Sequence, residues 1–160
     1  MTVGDFCNRQ VVLACREESV TEAARRMRDF HVGTLVVVDE HEGRRFPVGV
    51  LTDRDLVVRI LAQDRRAADA TVVGEAMTSK LVTAQETDDL VDALKKMRSF
   101  GVRRLPVVNE SGGLEGVLAF DDLVEFVADE LSDLSSLLAR SRSASGKGHH
   151  SSMMEIRHAV

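Results

Sequence analysis

Apolar residues along this chain change period, and the whole pattern then recurs. Val20, Ala23, Ala24, Met27 and Phe30 follow helical spacing. Ser19 stands directly before them with Glu22 three residues on, which is the form of a capping box. Leu35–Val38 is a continuous apolar run suited to a strand buried on both faces. A short strand is predicted at Val11–Leu13, a third strand at Val48–Leu51 and a helix over about 53–62. The same series then recurs. Leu81–Thr83 predicts a strand, and Asp89 and Asp92 open a helix carrying Ala93, Leu94, Met97 and Phe100. Leu105–Val108 and Glu115–Leu118 predict two further strands, and a last helix runs over about 121–138. In that helix Leu123, Val127, Leu131, Leu134 and Leu138 make one apolar stripe, with Phe126 and Leu137 beside it.

The recurrence holds residue by residue. At a spacing of 70, Val3-Gly4-Asp5 meets Val73-Gly74-Glu75, Met27 meets Met97, and Leu35 and Val37 meet Leu105 and Val107. The loop after the second strand is three residues longer in the first copy, so the spacing becomes 67 beyond it. Gly49-Val50-Leu51 then meets Gly116-Val117-Leu118, and Asp55-Leu56 meets Asp122-Leu123. The expected fold class is therefore mixed α/β (α+β), with two β-α-β-β-α units packed pseudo-symmetrically. Residues 1–66 form the first unit and 67–139 the second, which ends in the long helix. Gln63–Thr71 is a polar link. Residues 140–160 turn to Ser, Arg, Gly and His and read as a mobile tail.

Composition narrows the function. The 160 residues are 44% hydrophobic and 29% charged, an ordinary globular balance. One copy alone would bury a marginal core, so intimate pairing of the two is expected. A net charge of −5 argues against general nucleic-acid binding. No apolar run approaches the roughly 18 residues of a membrane span, and Met1–Asp5 has no secretion-signal character. The protein is expected to be cytoplasmic. Cys7 and Cys15 form no disulfide framework. Cys7 occupies the Met77 position and is expected to pack as a small hydrophobe, while His31, at the Gly101 position, is expected in a turn. His149, His150 and His158 have no fixed metal-site spacing. No Ser/His/Asp or Cys/His set, phosphate loop or metal cluster is legible, so the chain is not expected to be an enzyme, nor to need a cofactor or metal.

Two segments carry the chemistry. Gly49-Val50-Leu51-Thr52-Asp53-Arg54-Asp55 ends a strand and opens a helix, and Val102-Arg103-Arg104-Leu105-Pro106-Val107-Val108 opens another strand. An ionised Asp accepts hydrogen bonds from both hydroxyls of a ribose, and a helix start tolerates that charge. Thr52 can face the same sugar or phosphate, and Arg54 adds a positive charge beside the free helix amides.

Both segments, in this order inside a repeat, resemble the tandem cystathionine-β-synthase-type domain, or CBS pair (Bateman module), of the stand-alone bacterial kind. The resemblance covers about residues 3–131. It implies a regulatory module that senses an adenine nucleotide (AMP, ADP or ATP) between the copies and signals to a partner protein, with a homodimer built through helices. It further implies that Arg103 and Arg104 reach the phosphate of a nucleotide held by Thr52 and Asp55. The base would then lie along Lys80–Val82, with Lys80 and Val82 bounding that segment. S-adenosylmethionine carries the same ribose.

The copies differ where a phosphate would sit. In the second signature Ala119 replaces Thr52, Asp121 replaces Arg54 and only Asp122 is kept; Gly33 and Thr34 stand where Arg103 and Arg104 do. One competent site centred on Asp55 is expected, with a second, weaker one at Asp122 that is empty or takes a less anionic ligand such as a nucleoside. The alternative is a dimerisation scaffold with a vestigial site.

Overall fold

The computed structural model describes residues 1–63 and 70–145. Most of the expected polar link, the segment after Ser145 and its three histidines lie outside the described residues. The first copy comprises α1 (Val3–Phe6), β1 (Leu13–Ala14), α2 (Val20–Asp29), β2 (Thr34–His41), β3 (Arg44–Thr52) and α3 (Asp53–Asp55), continued by a π-helical stretch, Leu56–Leu61. The second comprises α4 (Val73–Ala76), β4 (Ala84–Gln85), α5 (Leu90–Phe100), β5 (Arg104–Val108), β6 (Leu114–Ala119) and α6 (Phe120–Ser145). Each copy builds one three-stranded sheet, with the first strand parallel and the third antiparallel to the central one. Both sheets carry a bulge at equivalent places, Val37/Val38 and Val107/Val108. The repeat thus extends to irregularities of the backbone.

The predicted α/β repeat is present, with four differences. A short helix precedes each first strand, so the order in each copy is α-β-α-β-β-α. The first strands are two residues long and begin later than predicted, at Leu13 and Ala84. The residues before Leu13 instead line a cavity described below. The helix after β3 is not uniform: beyond Asp55 it widens, and Ala62 N–H bonds to Val57 O at 2.9 Å, five residues back. The last helix continues through Arg140 to Ser145, where a tail was expected.

Capping follows the sequence. Ser19 Oγ accepts from Glu22 N–H at 3.2 Å while the Glu22 carboxylate accepts from Ser19 N–H at 3.3 Å. Asp89 caps α5 by accepting from Val91 N–H at 2.8 Å. Met27 and Met97 are buried as expected, whereas Phe30 is 63% exposed, because α2 ends there and the stripe has run past the sheet.

The two copies are joined by reciprocal exchange. Val73 and Gly74 N–H, at the head of the second copy, bond to Glu18 and Arg16 O of the first, each at 2.9 Å. Val3 and Gly4 N–H bond to Asp88 and Glu86 O at 2.9 and 2.8 Å, the equivalent pairs in the other direction. Two residues on from each short helix the chain crosses again. Asn8 and Val117 exchange both backbone hydrogen bonds at 2.9 Å, and Thr78 and Val50 do the same at 2.9 and 3.1 Å. The core of the first copy, built on Leu35, Val37, Leu51 and Met27, is completed by Val73, Ala76 and Met77. Accordingly, residues Met1–Asp122 form one compact unit holding both sheets, and a second begins at Leu123 with the remainder of α6.

Close approach at the crossings demands glycine. A Cβ at Gly116 would lie 2.8 Å from Asn8 O and 2.9 Å from Cys7 Sγ. At Gly49 it would lie 2.6 Å from Met77 Sδ and 3.0 Å from Thr78 O. Cys7 and Met77 are thus equivalent in space, and burial pushes the Cys7 thiol pKa up, against any role as an activated nucleophile.

Two predictions follow from the exchange. Val73→Ala should cost about 2 kcal/mol of unfolding free energy, measured by urea denaturation, because Val73 is fully buried. Its hydrogen-exchange signature should fall on β2, in the other copy; loss of protection confined to β5 and β6 would contradict the exchanged core. Gly116→Ala should cost about 1–3 kcal/mol, since backbone must move to admit the methyl group; an unchanged urea midpoint would show that the crossing yields freely.

Candidate functional site

Asp55 and Asp122 occupy equivalent positions, in the first turn after the third strand of each copy. Local structure fixes both turns alike: Asp53 N–H bonds to Gly33 O at 3.0 Å, and Phe120 N–H to Arg103 O at 2.9 Å. Each third strand therefore delivers its carboxylate beside the head of its own central strand.

On the Asp55 side, Thr52 and Asp55 are brought together as a capping box. Thr52 N–H and Oγ1–H donate to Asp55 Oδ2 at 3.0 and 2.7 Å, and Asp55 N–H donates back to Thr52 Oγ1 at 3.1 Å. The other carboxylate oxygen, Oδ1, faces Arg59 Nε at 3.3 Å. The Arg59 guanidinium also donates to Ala76 O at 3.1 Å, Met77 O at 3.3 Å and Thr78 Oγ1 at 3.4 Å. Arg59 thereby ties Asp55 to the chain that leads into the predicted base segment. It was not among the predicted site residues; its signal in the sequence is the i,i+4 spacing from Asp55. Arg54 and Lys80 are exposed and Val82 is half-buried.

On the Asp122 side lies a cavity of about 290 Å³. One wall is Asn8 and Gln10–Val12 of the first copy, and another is Val117, Ala119 and Asp122 of the second. Val36, Val50 and Pro106 also line it, as do His31, Gly33, Thr34 and Arg104. His31 has φ 54°, matching Gly101 at φ 65°, so the turn reading of this position holds while the residue also borders the cavity. The Asp122 carboxylate makes no hydrogen bond or ion pair among the described residues, and the residue aligned with Arg59 in the sequence repeat is Phe126.

The predicted basic pair, Arg103 and Arg104, lies beside Asp121, Arg103 through a short ion pair and Arg104 with its Nη2 at 3.8 Å. Arg104 Nη1 also lies 3.5 Å from Thr34 Oγ1, the equivalent residue of the other copy. The heads of β2 and β5 therefore meet, and a long side chain from one can serve either side. Arg104 lines the Asp122 cavity, which so acquires the cation that the repeat pattern alone places on the Asp55 side. No helix among the described residues is long and apolar enough to cross a membrane, and no group of three metal-ligating side chains occurs among them.

Comparison with known proteins agrees with this architecture. The CBS domain model matches twice, over residues 3–62 and 73–129. The Methanopyrus kandleri protein MK0525 is 30% identical over 125 residues, 78% of this chain; the chain spans 62% of that relative's length. The CBS domain pair of protein MJ0100, solved with 5′-methylthioadenosine and S-adenosylmethionine, superposes with a TM-score of 0.70 at 25% identity, covering 81% of this chain and 98% of that one. CBSX2 in complex with AMP gives 0.67 at 29% identity, covering 80% and 96%. The tandem match, the reciprocal crossings and the paired aspartates lead to one statement: this chain belongs to the CBS-domain family, as a CBS pair.

Proposed function

We propose that this protein is a regulatory module that binds an adenosine-bearing ligand between its two copies, an adenine nucleotide (AMP, ADP or ATP) foremost. One observation carries the reading. Two carboxylates at equivalent helix starts each sit beside the incoming chain of the opposite copy: Asp122 shares a cavity with Asn8 and Gln10–Val12, and Asp55 is joined through Arg59 to Ala76–Thr78. A ribose read by the carboxylate and a base laid along the incoming chain would touch both copies at once. The ligand would therefore bias their packing through differential affinity for two arrangements. The complexes of MJ0100 and CBSX2 support an adenosine moiety. Around it, Thr52, Arg54, Asp55, Lys80 and Val82 serve the first side, Asp122 the second, and Arg103 and Arg104 the phosphates near the meeting of β2 and β5. Signalling passes to a separate effector protein in the cytoplasm, and the chain itself does no chemistry.

The second reading, a dimerisation scaffold with vestigial sites, is favoured by one observation: both oxygens of Asp55 are already engaged by their own chain, Oδ2 by hydrogen bonds from Thr52 and Oδ1 by the Arg59 ion pair.

Self-association belongs to the proposal under either reading. Val124, Val127, Leu131, Leu134 and Leu138 alternate spacings of three and four along α6, and all are more than half exposed. Every carboxylate of α6 lies between Asp121 and Asp133, while Arg140 lies beyond. Antiparallel pairing with a second copy sets acidic half against basic half, where parallel pairing would align like charges.

Thermal unfolding distinguishes the two readings. A ligand at a hundredfold its Kd should add about 2.7 kcal/mol of apparent stability. AMP, ATP or adenosine at millimolar concentration is expected to raise Tm; no shift with any of them leaves the scaffold. The double variant Asp55→Ala, Asp122→Ala should abolish the shift, and its persistence would move the site elsewhere. In sedimentation equilibrium, Leu131→Glu with Leu134→Glu should convert a dimer to a monomer, and a dimer that survives places the interface off α6.

A further inference from the structure

The two sides differ in what already occupies their carboxylates. A carboxylate offers about four acceptor positions. At Asp55, Thr52 N–H and Oγ1–H donate to Oδ2, and the Arg59 guanidinium stands against Oδ1 as an ion pair with Nε at 3.3 Å, so both oxygens are engaged. The Asp55 side chain is only 15% exposed, so water does not readily replace a lost partner. A ribose diol brings two donors and must displace at least one group. The hydroxyl and amide of Thr52 belong to the turn that begins the helix. Arg59 is 47% exposed and has other acceptors within reach at Ala76 and Met77 O, so it is the cheaper group to release. At Asp122 neither obstacle exists. Ala119 and Phe126 replace Thr52 and Arg59, and Asp122 has no partner among the described residues. A formed cavity lined by both Asp122 and Arg104 is present there.

We propose that Arg59 is an internal competitor for the Asp55 carboxylate, so that the Asp122 cavity fills first and the Asp55 side fills only when Arg59 is released. This rests on the ribose-binding reading above and reverses the order of affinity that the two signature motifs alone predict. It also gives the second binding event a structural consequence. Arg59 holds the carbonyls of Ala76 and Met77, the segment that completes the core of the first copy. Freeing its charge from Asp55 alters the tie beside the Thr78–Val50 crossing, whereas the Asp122 cavity adjoins the other crossing, Asn8–Val117. A low ligand concentration would thus be registered at the Asn8–Val117 crossing, and a higher one at the Thr78–Val50 crossing as well.

Calorimetric titration of the full chain with adenosine, and separately with AMP, tests the order. The wild type should show a tighter and a weaker event. Asp122→Ala should remove the tighter one and Asp55→Ala the weaker. In the Asp122→Ala background, Arg59→Met should tighten adenosine by about fivefold, near the upper worth of a half-exposed ion pair, while Arg59→Lys should leave it unchanged. Should Arg59→Met not fold, Arg59→Gln, which retains donors for the Ala76 and Met77 carbonyls without the charge, provides the same comparison. Loss of the tighter event in Asp55→Ala overturns the order, and unchanged or weaker adenosine binding on removing the Arg59 charge overturns the competition. A folded wild type that binds neither probe at millimolar concentration overturns the ribose reading itself.

Discussion

Everything else in this molecule depends on the reciprocal crossing of its two halves. Each copy begins by giving its first dozen residues to the other: a short helix docks on the turn before the partner's long helix, and the next residues pair with the partner's third strand. Val3 and Val73 are fully buried in this exchange, and four backbone hydrogen bonds at the two strand crossings hold it in register. A three-stranded sheet with two helices is too small to bury a sufficient core by itself. Exchange supplies the missing apolar volume to both copies at once. It also explains why Met1–Asp122 behaves as one compact unit despite its repeat.

The same crossing creates the functional geometry. Backbone that passes from one copy to the edge of the other leaves a gap beside the third strand's end, where a carboxylate is already placed by the helix start. Gly49 and Gly116 are required because the crossing chain lies within a methyl group's reach of the strand. Scaffold and site are therefore inseparable. A substitution that loosens the crossing changes the cleft, and a ligand that grips both sides of the cleft strains or relieves the crossing.

Symmetry of the scaffold does not extend to the sites. Equivalent basic residues on α2 and α5, Arg26 and Lys96, clamp equivalent carboxylates, Glu18 and Asp88, and equivalent carbonyls, Leu13 and Thr83 O. Those clamps hold the cores and are the same in both copies. Around the cleft the residues diverge: Thr52 against Ala119, Arg59 against Phe126, Thr34 against Arg104. Packing constrains the first group equally in both halves, while the second group lies outside the two cores, so the halves were free to differ there.

The repeat, the class of fold, the buried strands, the caps at Ser19 and Asp89 and the two aspartates were all legible in the order of residues alone. Periodicity and capping are local, so a single chain displays them without its folded context. That order did not disclose that Val73–Met77 belong to the first copy's core, because exchange between distant segments leaves no periodic trace. Nor could it say which side Arg104 would serve, since that depends on the heads of β2 and β5 meeting in space. The status of Asp55 is the clearest case. Its motif marks it as a ribose acceptor, yet only the tertiary structure reveals Arg59 across the carboxylate, held there by carbonyls from the opposite copy. Residue types specify which interactions are possible; the crossing of the chains decides which of them are already taken.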